Sequence, residues 1–245
     1  MTDVALITGA SRGIGRASAL RLARAGMNVL LHGTDTAKLE ELAQEVTAYG
    51  AQAAILAGDV ADPKTASRAV EATLARFGRI DVLVNNAGIN TRSSTLEMPL
   101  DDWQRVMDVN LNGTLHFCRA VLPTMIAQGH GSIVNVSSTT AKTPHRNAAP
   151  AYGASKAAVN YLTMHLAQEM APNGIRVNAV CPGPVETDMS DQWSAEYRKT
   201  VTARVPLGRL GTPEEIAEIV AFIASDASGF ITGETINANG GTYMN

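Results

Sequence analysis

Short apolar runs separated by amphipathic stretches set the pattern of this chain. Val4-Ala5-Leu6-Ile7 carries no polar alternation, the mark of a strand covered on both faces. A glycine-rich segment, Gly9 to Gly15, follows directly, and helical spacing then continues to about Ala25. A second strand is predicted from Asn28 to His32, and a helix from about Thr36 to Tyr49. A third strand ends before Gly58-Asp59-Val60, a fourth covers Asp81 to Asn85, and later ones cover Gly131 to Ser137, Ile175 to Val180 and Thr235 to Ala238. Strands alternating with crossover helices predict an α/β fold, a doubly wound and predominantly parallel sheet flanked by helices, with ligands at the strands' carboxyl ends. No repeat or low-complexity tract interrupts the pattern, so one domain over residues 1–245 is expected.

Composition narrows the function classes. With 45% hydrophobic residues in 245, the chain can bury one large core. A net charge of −3 without a basic block or an aromatic-rich basic stripe argues against nucleic acid as a partner. Cys118 and Cys181 are too few for a disulfide scaffold, and M-T-D-V-A-L-I-T-G has no basic stretch leading into a secretory core. A reduced, cytoplasmic setting with no membrane partner is the expectation. No His/Cys/Asp/Glu cluster has metal-ligand spacing, so metal-free chemistry is expected.

The first chemical motif is T-G-A-S-R-G-I-G from Thr8, a strand-to-helix turn. Gly9, Gly13 and Gly15, with Ile14 between the last two, let a dinucleotide pyrophosphate approach backbone N–H groups and the positive end of a helix. Ser11 and Arg12 are candidates for phosphate or ribose contacts. The second strand ends in His32-Gly33-Thr34-Asp35. Gly33 stands where an acid would select free ribose hydroxyls, and Thr34 leaves room for a 2′-phosphate, so NADPH/NADP+ is favoured. Asp35 keeps NADH/NAD+ open. Asp59 and Val60 suit adenine, a carboxylate for its amino hydrogen and an apolar side chain for its ring; a plain Asp helix cap is the competing explanation. In N-N-A-G, Asn86 can bond neighbouring loops while Ala87 and Gly88 leave space for cofactor.

The second motif is A-Y-G-A-S-K, which puts Tyr152 and Lys156 on one helix face. An ammonium there favours the phenolate and makes Tyr152 a usable proton donor near neutral pH. Together with N-N-A-G, V-N-L-N-G around Asn110, Ser138 and C-P-G-P-V-E-T, these motifs resemble the short-chain dehydrogenase/reductase family over essentially the whole chain. The resemblance implies a single-domain Rossmann-like fold. It also implies that Ser138 binds the reacting oxygen, Tyr152 transfers the proton, Lys156 contacts the nicotinamide ribose and lowers the tyrosine pKa, and Asn110 holds a water toward the lysine. Ser137 and Ser138 both end a strand, and side-chain alternation sends only one to the pocket. Ser138 is fourteen residues before Tyr152, where many relatives have thirteen, so Thr139 is the fallback. The resemblance places Pro182, Gly183 and Thr187 near the nicotinamide amide and the pyrophosphate.

Residues 185–210 are expected to form a substrate lid, with Met189, Trp193 and Tyr197 as candidate lining or as ordinary helix packing. The pattern is nearest to bacterial 3-oxoacyl-carrier-protein reductases, through P-L-G-R-L-G and I-T-G-E-T-I-N. That implies NADPH-dependent ketone reduction in fatty-acid synthesis by a homotetramer, possible with acyl carrier protein as partner, whose faces would include Met164 or Leu166. Two departures matter: no arginine stands near Gly129 or Asn173 for docking an acidic carrier, whereas Arg92 and Arg146 lie in loops on the active-site side. They are candidates for recognising an anionic group, or else solvated surface charge. A small ketone, polyol or sugar acid is therefore the alternative substrate, and a non-catalytic dinucleotide-binding regulator the remote one.

Overall fold

The computed structural model describes residues 2–145 and 148–244; Arg146 lies outside the described residues, as does the side chain of Met189. Among the described residues seven strands form one sheet: β1 (Val4–Ile7), β2 (Asn28–Gly33), β3 (Ala53–Ala57), β4 (Val82–Asn85), β5 (Gly131–Val136), β6 (Ile175–Pro182) and β7 (Thr235–Ala238). Their order is β3-β2-β1-β4-β5-β6-β7, and every pairing is parallel, so the expected predominance of parallel pairs is complete. The order reverses between β1 and β4, the switch point where such sheets bind ligands.

Alternation along each buried strand divides the core. Ala5, Ile7, Val29 and Leu31 face one side with Leu22, Leu39 and Ile223, under α1 (Gly13–Arg24), α2 (Thr36–Thr47) and a later helix over Pro213–Ala224. Leu6, Leu30 and Leu83 face the other with Phe117, Val121 and Met125, under α3 (Pro63–Phe77) and the 100–170 helices. Because both faces are covered, these strands read as unbroken apolar runs.

Several expected boundaries move for local reasons. Asp81 lies outside β4: its carboxylate accepts from the Val4 amide at 2.8 Å and pairs with Arg79 at 2.7 Å. Helix α2 ends at Thr47, before Gly50 turns the chain at φ +80°. Between β4 and β5 lie α4 (Leu100–Met107), a π-turn over Asp108–Asn112, and α5 (Gly113–Gln128). Then come α6 (Pro150–Met170), the two short helices α7 (Asp188–Asp191) and α8 (Ala195–Thr202) inside the 185–210 segment, and α9 (Pro213–Ala224). Leu166 packs in the core at 5% exposure, so of the two residues expected on a subunit face only Met164 is at the surface. Among the described residues no helix is long and apolar enough to cross a membrane.

Candidate active site

The glycine turn leaves β1 at Thr8, whose hydroxyl accepts from the Asn86 and Ala87 amides at 3.0 and 3.1 Å. The Asn86 side chain donates back to the carbonyls of Thr8 and Gly9 at 3.1 and 3.0 Å, so its amide nitrogen locks the two loops together. Gly9 and Gly13 take φ of +63° and +53°, and a Cβ on Gly9 would come within 2.9 Å of the Ala87 Cα. At Gly15 any side chain would run into the Gly9 carbonyl and the Asn86 amide, while Ile14 packs on the first core face. Helix α1 begins without a side-chain cap and with no acid in its first turn. Its leading N–H groups suit a phosphate, which the macrodipole also favours. The turn therefore fits a dinucleotide. Ser11 sits beside Gly33, and Arg12 reaches across to Asp188 at the start of α7, 3.3 Å away.

At the adenosine end, Thr34 is exposed after Gly33, and Asp35 is the N-cap of α2, accepting from the Lys38 amide at 3.2 Å. The cap of α3 is Asp62, which removes the capping explanation for Asp59. Asp59 instead accepts from the Ala61 amide at 3.0 Å and pairs with Arg105 at 2.6 Å. Burial works to raise its carboxyl, but these two partners hold it below the ordinary value. The Val60 side chain departs from expectation: it is 5% exposed and packs toward Gly113, where an added Cβ would stand 2.8 Å from its Cγ2. That orientation gives it to the core rather than to an adenine ring.

Helix α6 starts on Pro150 and brings Tyr152 and Lys156 beside the ends of β5 and β6. Ser138 follows β5 beside Tyr152, whose phenol it acts on, and its hydroxyl accepts from the Thr140 amide at 3.2 Å and the Thr140 hydroxyl at 2.8 Å. Ser137 turns the other way and donates to the Lys156 carbonyl at 3.2 Å. Thr139 opens a 3-10 turn, Thr139–Ala141, while Ser138 is its N-cap and the residue that acts on the phenol. Burial raises the Tyr152 phenol, with the Ser138 hydrogen bond opposing. This differs from the expected depression by Lys156. The ammonium donates to the Val136 carbonyl at 2.7 Å and stands 5.9 Å from the phenol ring centre. Burial pushes Lys156 down to about 8, and only negative charge on the Cys181 sulfur would oppose it.

Asn110 lies in the π-turn, fully buried, and its side chain is engaged three ways. It accepts from the Ile89 amide at 2.8 Å and donates to the Ile89 carbonyl at 2.9 Å and to Ser155 Oγ at 3.1 Å. A Cβ on Gly88 would stand 3.3 Å from Asn110 Oδ1 and 3.4 Å from Lys156 Nζ, so these two groups converge on that glycine. Pro182 ends β6, Gly183 donates to the Ala238 carbonyl at 3.0 Å, and the Thr187 methyl stands 3.3 Å from where a Cβ on Gly13 would be. Trp193 meets Tyr197 edge-on, with ring centres 5.3 Å apart. Arg92 is exposed on the loop after β4. The sequence reading missed Thr8, Thr140 and the partners Arg105 and Asp188. Only Thr8, the first residue of the glycine motif, had a visible flag.

Residues 9–243 match the family model described as "Enoyl-(Acyl carrier protein) reductase". The chain is 41% identical over 245 residues to 3-oxoacyl-[acyl-carrier-protein] reductase FabG of Staphylococcus aureus, covering 100% of this chain and 99% of the relative. A short-chain type dehydrogenase/reductase from Mycobacterium marinum superposes with a TM-score of 0.95 at 36% identity, covering 99% of this chain and 96% of that one. A 3-oxoacyl-[acyl-carrier protein] reductase from Brucella melitensis, solved with bound NAD, gives 0.92 at 36%, covering 99% and 92%. The tyrosine and serine side by side at the sheet's carboxyl edge, next to a glycine turn built for a dinucleotide, agree with these likenesses: the chain belongs to the short-chain dehydrogenase/reductase family and is an NAD(P)-dependent oxidoreductase.

Proposed function

We propose that the protein reduces the ketone of a 3-oxoacyl thioester to a secondary alcohol with NADPH, as its full-length relatives' names imply for them. The observation that supports the reaction is the gathering of Ser138, Tyr152 and Lys156 at one place, with the Lys156 ammonium 5.9 Å from the phenol ring centre and against Gly88. A bound reduced nicotinamide would supply the hydride for the carbonyl carbon. Ser138 donates a hydrogen bond to the carbonyl oxygen as charge grows there, and Tyr152 gives that oxygen its phenolic proton. Burial, which keeps the phenol protonated, suits it to this direction. Lys156 offers a nearby positive charge to the tyrosinate left behind, and its position against Gly88 with Asn110 suits a water relay that returns the proton. Gly9, Ser11, Arg12, Gly13, Ile14 and Gly15 would hold the pyrophosphate end, with Asn86, Ala87 and Gly88 bordering the nicotinamide half and Pro182, Gly183 and Thr187 closing over it. Residues 185–210 act as the lid that excludes water.

NADPH is favoured because Asp35, the carboxylate nearest the end of β2, already caps α2, while exposed Thr34 and Lys38 leave the 2′ position open to a phosphate. Acyl carrier protein is the natural bearer of the thioester, although Gly129 and Asn173 offer it no guanidinium. The working form is a cytoplasmic homotetramer, with Tyr161 and Met164 on the outer face of α6 as contact candidates.

The test follows reduced-nicotinamide absorbance with NADPH and NADH against matched 3-oxoacyl thioesters, an enoyl thioester, small ketones and sugar acids. NADPH-dependent turnover of the 3-oxoacyl thioester is expected, falling by about 100- to 10,000-fold in Tyr152→Phe with dinucleotide binding retained. Undiminished turnover in that variant, or a preference for the enoyl substrate, overturns the reading.

A further inference from the structure

Lys142 closes the 3-10 turn that begins on Ser138: it is the C-cap of Thr139–Ala141, and its backbone amide donates to the Thr139 carbonyl at 2.9 Å. Its half-buried side chain runs on to β7, where the ammonium donates to the Thr235 carbonyl and to Asn237 Oδ1, both at 2.8 Å. The same ammonium stands 5.6 Å from the centre of the Tyr243 ring, within reach of a cation–π contact. No carboxylate among the described residues pairs with it. Lys142 therefore engages three neutral groups of the C-terminal strand and turn from a position four residues after Ser138.

That C-terminal turn also supports the end of the 185–210 segment. After β7, the Asn239 side chain donates to the Tyr243 carbonyl and accepts from the Gly241 amide, both at 2.9 Å, which fixes the turn over residues 239–243. Gly240 and Gly241 take φ of +62° and +90° and offer a bare surface to the chain above them. A Cβ on Gly240 would stand 2.6 Å from Val205 Cγ1, and one on Gly241 would stand 2.9 Å from Pro206 Cγ. The Leu207 amide donates to the Gly240 carbonyl at 3.1 Å. One chain of contacts thus runs from Val205–Leu207 through the turn at 239–243 and Lys142 to the turn that holds Ser138.

We infer that Lys142 is a positioning residue for the reduction: it ties the Ser138 turn to the C-terminal turn on which the lid's end rests, so that the oxygen-binding hydroxyl and the lid keep one alignment. Thr140 fixes the hydroxyl within its turn, and Lys142 fixes the turn within the molecule. A donor aimed at a developing oxyanion loses much of its effect when displaced by a fraction of an ångström to an ångström, so a cross-link four residues away bears directly on rate. The same contacts carry any movement of residues 205–207 to Ser138 as substrate enters. The inference rests on Ser138 donating to the reacting oxygen, as proposed above, and is independent of which carbonyl is reduced.

The experiment is a double-mutant cycle on whichever carbonyl of the panel above is reduced best. Lys142→Met should lower kcat about tenfold with KM for the dinucleotide unchanged, and Lys142→Arg should recover part of the loss. In a Ser138→Ala background the same Lys142→Met change should cost less than about twofold, because the hydroxyl that it positions is gone. Equal losses in the two backgrounds, or no loss in Lys142→Met alone, overturn the inference and leave the Ser138 reading standing. Full turnover in Ser138→Ala removes the Ser138 reading and the inference with it. Amide hydrogen exchange, read by mass spectrometry, needs no turnover. Lys142→Met and Tyr243→Leu should each speed exchange in residues 138–143, Lys142→Met also in 239–243, with β1 and α1 unchanged. Unchanged exchange at 138–143, or a rise spread over the whole molecule, overturns the coupling even if none of the carbonyls is a substrate.

Discussion

Ser138 Oγ accepts from both the amide and the hydroxyl of Thr140, at 3.2 and 2.8 Å. A hydroxyl has two acceptor positions, so both are filled and its one proton is left to donate, in the proposed reaction to the carbonyl oxygen. Thr140 is thus a positioning residue. Thr140→Val should lower kcat about tenfold, near the net worth of one hydrogen bond, and Thr140→Ser should restore it. A shift in the alkaline limb of the pH–rate profile, with KM for cofactor unchanged, separates this from a folding defect. His32 is a second residue with its own test. It is 1% exposed against Phe117, both ring nitrogens lack partners among the described residues, and burial brings it from 6.5 to about 4. The unfolded chain takes up this proton below 6.5 and the folded one only near 4, so stability is fully present above 6.5 and falls as pH drops through that window. The loss reaches about 3 kcal/mol, and urea midpoints at pH 7, 5.5 and 4.5 should fall less steeply in His32→Leu.

Arg12 and Asp188 join the glycine turn to α7, across the proposed pyrophosphate site. Both side chains are largely solvated, 65% and 47% exposed, so the pair contributes at most about 1 kcal/mol. Asp188→Asn should free Arg12 and tighten NADPH binding by up to about fivefold in a fluorescence titration, with a smaller effect on NADH. At this scale the sequence was legible where an element's whole length repeats one pattern. The apolar runs of β1, β2 and β4 gave the sheet, and the Tyr152–Lys156 spacing put both side chains on one side of α6. The π-turn at Asn110 was not legible, because V-N-L-N-G satisfies helical spacing and the extra residue per turn comes from the Ile89 and Ser155 contacts. Nor could composition separate Asp59 from Asp62 as the cap of α3, since each is an acid shortly before Pro63 and only chain direction decides. Val60 was read for its apolarity alone, and its facing partner, Gly113, is 53 residues away.

For the molecule as a whole, Tyr161 at 67% and Met164 at 48% exposure lie close together on α6, the helix that carries Tyr152. Apolar groups so placed suit an interface between copies. Sedimentation should give about four times the 25.8 kDa chain, and Met164→Glu should yield a smaller species with reduced turnover. A different consequence follows from the sheet order. β1 is bracketed by β2 on one side and by β4 on the other, and its first amide is satisfied by Asp81, 77 residues downstream. The first βαβ unit therefore leaves the ribosome with one edge of its central strand bare, until roughly another fifty residues have been made after β2. During that interval the nascent chain offers a flat apolar edge to any other strand, the window in which a chaperone's hold matters most.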